Sequence, residues 1–358
     1  MAKDLFGFDK TNLIIGKGQD IQVPTLSPTV TEMLMPLYDN YNQQRFDRAV
    51  DVPRPFMALN TLVYETFKQG FPTIRYANEP HVSLSGDTRD VVLAFSGGLD
   101  SCYQAICLKD AGYTVHLFHV KGVNAYEGGV QLHAVEEFAH RMGMDLIYAT
   151  WKRKGNKETN RYYQAWGDNA IKNQLIEGIM VDLCAERGWN KFSLGDDESI
   201  SVYDSDAKLG INITDCKEIQ HTFLDGLSAV CDGYEYIGIE RGTKSTDANK
   251  YARLRMLENR DCADAYYSCV GSGRFNQYNH DTCEKKYGIH LHKYNCGSYC
   301  TKCAIHNLLL HYVGHADFPV DFVLSCWERL WKTKFGNFDE LFGKNVPLDE
   351  RVKNLLTY

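Results

Sequence analysis

The sequence predicts an α/β protein in which helices flank a parallel sheet, and three observations lead to this fold class. From residue 90 onward, short apolar runs with the β-branched content of buried strands alternate with amphipathic, helix-like runs. A glycine-rich turn at residues 96–98 joins the first of these strands to its helix. Closely spaced cysteines between residues 296 and 303 have the pattern of a zinc module. We therefore expect a parallel-sheet domain with an N-terminal extension and a C-terminal helical zinc module.

The composition is that of a globular protein long enough for two domains. The 358 residues are 44% hydrophobic and 24% charged, and the formal net charge of −7 disfavours nucleic acid as a partner. No apolar run approaches the ~20 residues of a membrane span, and the N-terminus lacks the apolar core of a secretory signal. We therefore expect no membrane partner and a cytoplasmic location. Because thiols stay reduced there, the twelve cysteines are predicted to be buried residues or metal ligands.

Residues 1–88 are predicted to form an extension to which the sequence assigns no role. Six of the nine prolines lie between residues 24 and 72, and proline interrupts regular structure, so the elements there should be short. A strand at residues 12–15 and a helix at residues 57–68 are expected. The predicted domains are 1–88 for the extension, 89–260 for the α/β domain and 261–358 for the cysteine-rich helical region.

The elements of the α/β region follow from the spacing of their apolar residues. Residues 91–95 form a continuous apolar run, as in a parallel strand that is covered on both faces. The run at 130–142 places Leu132, Val135 and Phe138 on one face of a helix. The other strands are predicted at 114–120, 145–150 and 191–194, and the other helices at 100–111, 169–187, 217–231, 247–258, 304–313 and 320–332.

The turn after the first strand has the composition of an anion-binding loop. Gly97 and Gly98 let the backbone approach a ligand closely, and the helix beyond directs its free N–H groups and positive dipole end into the same space. Ser96 and Ser101 add hydroxyl donors. The segment therefore predicts a site for a phosphate chain, although it lacks the lysine of the common nucleotide-binding loop, G-x-x-x-x-G-K-S/T.

The run Ser-Gly-Gly-Leu-Asp-Ser after a hydrophobic strand resembles the pyrophosphate loop of the ATP pyrophosphatase (PP-loop) superfamily. The resemblance implies an adenine nucleotide alpha hydrolase-like, Rossmann-like sheet and an enzyme that splits ATP between the α- and β-phosphates. Asp100 would help to hold Mg²⁺, and the implied catalytic residues are Asp100, Ser96, Ser101 and Lys244. The implied nucleotide-binding residues are Phe95, Ser96, Gly97, Gly98, Leu99, Asp100, Ser101, His119, Lys172 and Asn173.

A second motif, near the C-terminal end, has the spacing of a metal site. Three residues separate Cys296 from Cys300 and two separate Cys300 from Cys303, so short loops bring three thiolates to one ion. Four sulfur ligands suit zinc, and Cys269 is the first choice for the fourth ligand. Cys283 is the second choice, and an iron–sulfur cluster is the alternative to zinc. The weaker candidates are His290, His292 and His306.

The order of these motifs resembles the 7-cyano-7-deazaguanine synthases over about residues 90–315. In that family four cysteines hold a structural zinc close to the substrate site. This chain departs from the family in three ways: twenty-six residues separate Cys269 from Cys296, there is one extra residue between Cys296 and Cys300, and residues 1–88 are additional. Carboxylates suit the N–H edge of a purine-like base, so acidic residues are predicted to bind the substrate. They are Asp196, Asp197 and Asp215.

The resemblance implies an ATP-dependent ligase that adenylates a carboxylate such as 7-carboxy-7-deazaguanine and then forms a C–N bond. Ammonia would displace AMP to give an amide, which a second activation would dehydrate to a nitrile. The implied cofactors are ATP, Mg²⁺ and Zn²⁺. Three alternatives stay open: an antiviral relative that joins the deazapurine acyl group to a protein amine, a tRNA-modifying sulfur-transfer enzyme, and a nucleotide-binding regulatory subunit. A homodimer is compatible with the sequence.

Overall fold

A computed structural model of the chain shows an α/β fold with a mainly parallel sheet flanked by helices, as the sequence predicts. None of the helices in the described part of the chain has both the length and the apolar character that a bilayer crossing needs. The described residues are 10–14, 19–24, 26–27, 29–43, 50–67, 74–76, 80–121, 129–153, 171–195, 216–238, 250–267, 276–291, 294–312 and 314–331.

The elements are numbered along the chain. The strands are β1 (Lys10–Ile14), β2 (Gln19–Pro24), β3 (Val50–Val52), β4 (Ile74–Tyr76), β5 (Val82–Ser83), β6 (Asp90–Ala94), β7 (Thr114–Lys121), β8 (Asp145–Arg153), β9 (Lys191–Leu194), β10 (Cys231–Asp232) and β11 (Glu235–Tyr236). The helices are α1 (Thr29–Gln43), α2 (Met57–Phe67), α3 (Leu99–Asp110), α4 (Gly129–Met142), α5 (Lys172–Arg187), α6 (Lys217–Ser228), α7 (Lys250–Asn259), α8 (Asn276–Tyr287), α9 (Thr301–Tyr312) and α10 (Val320–Trp331).

The main sheet has the strand order β1-β2-β8-β7-β6-β9-β11. Strand β6 pairs in parallel with β7 on one side and with β9 on the other, and β9 pairs in parallel with β11. At the opposite edge, β2 pairs antiparallel with β1 and with β8. The chain leaves β6 towards β7 and β8 and later returns to β9, so the strand order reverses at β6. In open α/β sheets, ligands bind at the carboxyl ends of the strands at such a reversal.

The central strand is apolar because both of its faces are covered. Val91, Val92 and Leu93 of β6 are fully buried. In the register with β7, Val91 lies opposite Val115 and Leu93 lies opposite Leu117, and both partners are buried as well. This continuous burial explains why the strand reads as an unbroken apolar run, without the alternation of a strand that has one face in solvent.

The predicted C-terminal end of one helix is wrong. The helix predicted over 217–231 stops at Ser228, and Cys231 opens β10. The Val82 N–H donates to the Val230 carbonyl (2.8 Å), and Cys231 pairs with Val82 in parallel register. Val230 and Cys231 continue the apolar pattern of the helix, but pairing with β5, which is distant in sequence, satisfies their backbone groups instead.

The described residues group into two compact units, each of which is discontinuous in sequence. The first carries nearly all of the sheet together with α1, α2, α5 and α6, and the second carries α3, α4 and α7 to α10. The domain boundaries at residues 88 and 260 stay predictions. The bounds are Met1–Ala94, Gly112–Gly122 and Ile147–Gly238 for the first unit, and Phe95–Ala111, Val123–Leu146 and Ile239–Tyr358 for the second.

In the first unit, N-terminal elements pack against helices from the α/β region. Gly178 of α5 permits the close approach of α1, because a Cβ at this position would lie 2.8 Å from Leu34 Cδ1. Phe56 stacks on Phe223 of α6 with 6.0 Å between ring centroids. Together with the pairing of β1 and β2 at the sheet edge, these contacts make the N-terminal region part of the packing of this unit.

A buried carboxylate fixes the start of α1. Asp182 of α5 accepts hydrogen bonds from the backbone N–H groups of Val30 (2.8 Å) and Thr31 (2.9 Å) and from the Thr31 hydroxyl (2.6 Å). These N–H groups belong to the first turn of α1, where no helical partner is available to them and a negative charge is favourable. Burial nevertheless raises the pKa of Asp182 from 3.8 to about 6, and the bonds to Thr31 and Val30 counteract only part of this effect.

Candidate functional site

The phosphate-binding loop predicted at residues 96–101 has a backbone that requires glycine. Gly97 has a φ of +76°, in the left-handed region that glycine adopts without strain. A Cβ on Gly97 would also lie 2.9 Å from Val135 Cγ2 of α4. Gly98 is the N-cap of α3, and its carbonyl accepts the first helical bond from the Cys102 N–H (2.9 Å). The sequence therefore folds here into a tight turn that leads directly into a helix N-terminus.

The two serines of the loop lie side by side. The hydroxyl oxygens of Ser96 and Ser101 are 3.2 Å apart, and Ser96 Oγ also accepts a hydrogen bond from the Gly98 N–H (3.1 Å). Ser101 Oγ donates to the Gly98 carbonyl (3.1 Å). From α4, the Gln131 side-chain amide donates to the Ser96 carbonyl (2.8 Å), and the Phe95 ring packs on Phe138. The arrangement brings two hydroxyls and a helix N-terminus to one place.

Asp100 forms an ion pair that the sequence did not predict. Its Oδ1 accepts a hydrogen bond from Nη1 of Arg253 in α7, and the side chains are 35% and 0% exposed, respectively. The Arg253 guanidinium also lies 5.6 Å from the ring centroid of Tyr103. Because arginine keeps its charge, a fully buried guanidinium depends on its carboxylate partner. The available signal was an arginine on the apolar face of a predicted helix, beside Leu254 and Leu257, which are also buried.

Cys296, Cys300 and Cys303 form a buried group of three sulfurs that can hold a metal ion. Their Sγ atoms all lie within 4.8 Å of one another, and those of Cys296 and Cys300 are 3.4 Å apart. Tetrahedral zinc with Zn–S bonds of about 2.3 Å places sulfurs about 3.8 Å apart. The spacing and the all-sulfur donor set therefore fit zinc.

Backbone N–H groups point at these sulfurs. The helix predicted to start at residue 304 begins at Thr301 as α9, which puts Cys303 in its first turn. The Cys303 N–H donates to Cys300 Sγ (3.4 Å), and the Cys296 N–H donates to Cys303 Sγ (3.3 Å). Donors at a helix N-terminus favour negative charge, so they stabilise the thiolate form that a metal requires.

The described residues add no fourth ligand to this group. Among the described residues, no other cysteine, histidine or carboxylate has its ligand atom within 4.8 Å of all three sulfurs, and this includes the buried Cys283 as well as His290 and His306. Cys269 and His292 lie outside the described residues. Cys269 therefore stays the predicted fourth ligand.

Tyr267 contacts both the loop at residues 96–101 and the cysteine group. Its backbone N–H donates to the Gly97 carbonyl (2.6 Å). Its side chain, which is partly buried, packs against Cys296, Cys300 and Cys303. One residue thus lies between the two features that the sequence singled out. It was not among the predicted site residues, although it precedes the predicted ligand Cys269 by only two positions.

Tyr266 fills the interior beside Tyr267. It is fully buried and stacks on His306 of α9, with 4.3 Å between ring centroids. Burial raises the pKa of the Tyr266 hydroxyl well above its usual value, and the thiols of Cys303 and Cys102 and the carboxylate of Asp100 raise it further. Cys303 belongs to α9, and Cys102 and Asp100 belong to α3.

Three predicted nucleotide-binding residues belong to the first unit. His119 lies in β7, is buried, and meets the Tyr148 ring edge-on at 6.3 Å. Lys121, at the end of the same strand, has its Nζ 3.5 Å from the centroid of that ring. Lys172 and Asn173 open α5 and are partly buried. Their predicted contacts with a nucleotide stay predictions.

The predicted substrate residues and the predicted catalytic lysine lie outside the described residues. In the sequence, only Gly195 separates Asp196 and Asp197 from the end of β9, a strand that pairs with β6. Asp215 precedes α6 by one residue and Lys244 precedes α7 by five. Their roles stay predictions.

Comparisons with known proteins add little to this description. No protein-family model matches the chain, and no curated protein matches it. Among solved structures, the chain is similar to a predicted subunit of a tRNA methyltransferase from Methanocaldococcus jannaschii, at 21% identity over 51% of this chain and 94% of that chain, with a TM-score of 0.27. At this identity and TM-score, the likeness establishes no function for this chain.

Proposed function

We propose that this chain is an enzyme of the ATP pyrophosphatase (PP-loop) type that adenylates a carboxylate. The geometry of residues 96–101 carries the proposal. Gly97 has a positive φ, Gly98 caps α3, and the hydroxyls of Ser96 and Ser101 are 3.2 Å apart. A loop of this kind can turn its N–H and O–H donors, which here form hydrogen bonds within the loop, towards one anion. It also follows β6, where the strand order reverses and open α/β sheets bind their ligands.

In the proposed reaction, a carboxylate oxygen of the substrate attacks the α-phosphorus of MgATP. The bond from this phosphorus to the oxygen that bridges to the β-phosphate breaks, and pyrophosphate leaves with the bonding electron pair. Ser96, Ser101 and the N-terminus of α3 stabilise the charge that accumulates on the leaving group. Asp100 orients the magnesium ion that arrives with the nucleotide, and Lys244 adds a positive charge near the phosphates. Positioning and charge stabilisation supply the catalysis, with no covalent intermediate on the protein.

The proposed second step forms a C–N bond. A nitrogen nucleophile attacks the acyl carbon of the adenylate, AMP leaves with the electron pair of the broken C–O bond, and the nitrogen loses a proton to give an amide. Ammonia as nucleophile gives a primary amide, which a second ATP-dependent activation can dehydrate to a nitrile. For the carboxylate we propose the 7-carboxy-7-deazaguanine class. Three carboxylates, which suit the N–H edge of a guanine-like ring, support it. They are Asp196, Asp197 and Asp215.

The test is a product assay with purified protein and a small panel of carboxylates. ATP cleavage to AMP and pyrophosphate is expected with 7-carboxy-7-deazaguanine and not with simple amino acids, since a site built on hydrogen bonds rejects ligands that lack the matching donors. Mass spectrometry of the product then distinguishes amide, nitrile and protein conjugate. Release of inorganic phosphate with ADP, in place of AMP and pyrophosphate, would end the proposal. Equal stimulation by an unrelated carboxylate would end the deazaguanine assignment alone.

A further inference from the structure

We infer that Tyr266 and Tyr267 couple the cysteine group to the phosphate-binding loop, so that the metal-bound group holds the loop in its nucleotide-binding conformation. Tyr267 is then a positioning residue, because it acts through Gly97 and does not itself need to touch the nucleotide. The inference rests on the proposed function for the meaning of the loop. The physical coupling between loop and cysteine group depends only on contacts within the second unit.

The first contact fixes the orientation of the peptide between Gly97 and Gly98. The Tyr267 N–H donates to the Gly97 carbonyl at 2.6 Å, so this carbonyl is held pointing towards Tyr267. In a trans peptide the C=O and the following N–H point in opposite directions. The Gly98 N–H is therefore turned away from Tyr267, and it donates to Ser96 Oγ at 3.1 Å. Without the bond from Tyr267, the Gly97 peptide loses one of the contacts that fix its orientation, and glycine, which tolerates both signs of φ, does not itself hold it there.

The second contact ties Tyr267 to the metal ligands. Its side chain packs against Cys296, Cys300 and Cys303. A bound ion would fix these three sulfurs in one arrangement, and the surface under the tyrosine ring would be fixed with them. Without the ion, three mutually repelling thiolates or flexible thiols leave that surface free to rearrange. The position of the Tyr267 backbone, and with it the Gly97 peptide, then follows the state of the cysteine group.

Tyr266 adds a second connection between the cysteine group and the loop. It stacks on His306, which lies one helical turn after Cys303 on α9. Tyr266 shares with Tyr267 the peptide whose N–H donates to the Gly97 carbonyl. A displacement of α9 on metal loss therefore reaches this donor through a single buried side chain. Thermodynamic linkage makes the coupling reciprocal, so nucleotide binding should also tighten metal binding.

The experiment compares Tyr267→Ala with two controls. Tyr267→Phe keeps the ring, and Tyr299→Ala removes a tyrosine that lies between Cys296 and Cys300 but is 48% exposed. Elemental analysis gives the amount of zinc per chain. Calorimetry gives the Kd for the magnesium complex of a non-cleavable ATP analogue, and mass spectrometry follows the backbone hydrogen exchange of residues 95–101. Tyr267→Ala is expected to keep its zinc, to bind the ATP analogue about tenfold more weakly and to exchange the backbone hydrogens of the loop faster. A roughly tenfold rise in Kd is the effect expected when one backbone hydrogen bond loses its support. Both controls should behave like the wild type.

The inference is overturned if zinc-loaded Tyr267→Ala exchanges the backbone hydrogens of residues 95–101 as slowly as the wild-type protein does. If this variant loses zinc or does not fold, zinc is removed from the wild-type protein instead. Faster exchange at residues 95–101 after this removal supports the coupling, and unchanged exchange refutes it. The exchange readout needs no nucleotide. Failure of the zinc-loaded wild-type protein to bind the ATP analogue would therefore count against the proposed function while leaving the coupling to be judged by exchange.

Discussion

At Asp100, a single carboxylate serves both the stability of the protein and the proposed chemistry. It is partly exposed at the start of α3, where a metal-bound phosphate chain would lie, and it is also paired with the fully buried Arg253. A variant at this position therefore changes two properties together. Measurements of activity alone cannot separate them, so the double variant with Arg253 is needed.

Asp100→Ala is expected to lower ATP turnover by at least ~100-fold, as loss of a charge contact in the transition state does. It should also lower the melting temperature, because Arg253 loses its carboxylate partner in a buried site. The matched control is the double variant Asp100→Ala with Arg253→Met, which removes both charges. It should recover stability without recovering turnover. Wild-type turnover in Asp100→Ala would remove the assigned role.

Gly97→Ala tests the backbone of the loop. The variant combines a positive φ with a Cβ placed 2.9 Å from Val135 Cγ2, whereas Gly143 has a positive φ of 58° and no atom within 4 Å of the position that a Cβ would take. Gly143→Ala is therefore the control for backbone strain alone, at about 1 kcal/mol of unfolding free energy. Gly97→Ala should cost about 1 kcal/mol more and weaken nucleotide binding. If Gly97→Ala and Gly143→Ala lose the same unfolding free energy in chemical denaturation, Val135 moves aside without cost.

At the scale of elements, the Asp182 cap makes the packing of α1 on α5 dependent on pH. The pKa of Asp182 is about 6 in the folded protein, above its ordinary 3.8, so the folded state binds the proton more tightly between these values. The contribution of Asp182 to the free energy of unfolding is fully present below pH 4 and is lost as the pH rises through 6. The loss amounts to at most about 3 kcal/mol. Chemical unfolding of wild type and Asp182→Asn between pH 4 and 7 should show this difference. A difference between the two proteins that is constant with pH would contradict it.

Local patterns predicted the elements that depend on local sequence. The apolar run of β6 and the loop at residues 96–101 were found because their burial and backbone requirements are written in adjacent residues. The end of α6 was wrong because pairing of Cys231 with β5 is a contact between segments far apart in the chain. Arg253, Tyr266 and Tyr267 were missed for the same reason. Their partners in the loop and in α3 are more than 150 positions away, and no spacing rule connects them.

At the scale of the whole molecule, the two units differ in what holds them together. The first is built on a sheet whose central strand buries Val91, Val92 and Leu93, and its helices pack through apolar contacts and the buried Asp182 cap. The second contains the loop, the buried Asp100–Arg253 pair and the cysteine group. A metal that crosslinks distant segments should therefore stabilise the second unit and leave the sheet of the first largely unaffected.

Zinc is expected at about one ion per chain, with Cys269, Cys296, Cys300 and Cys303 as ligands, because four protein ligands complete a structural tetrahedral site. Chelation should speed hydrogen exchange in α8, α9 and α10, while exchange in β6 and β7 stays slow. Cys269→Ser should lose the metal, and Cys283→Ser, which changes a buried cysteine outside the sulfur group, should keep it. The reverse outcome would make Cys283 the fourth ligand; its Sγ lies 2.8 Å from the position that a Cβ on Gly297 would take. A metal-free protein with unchanged exchange in these helices would exclude a structural role for the cysteines.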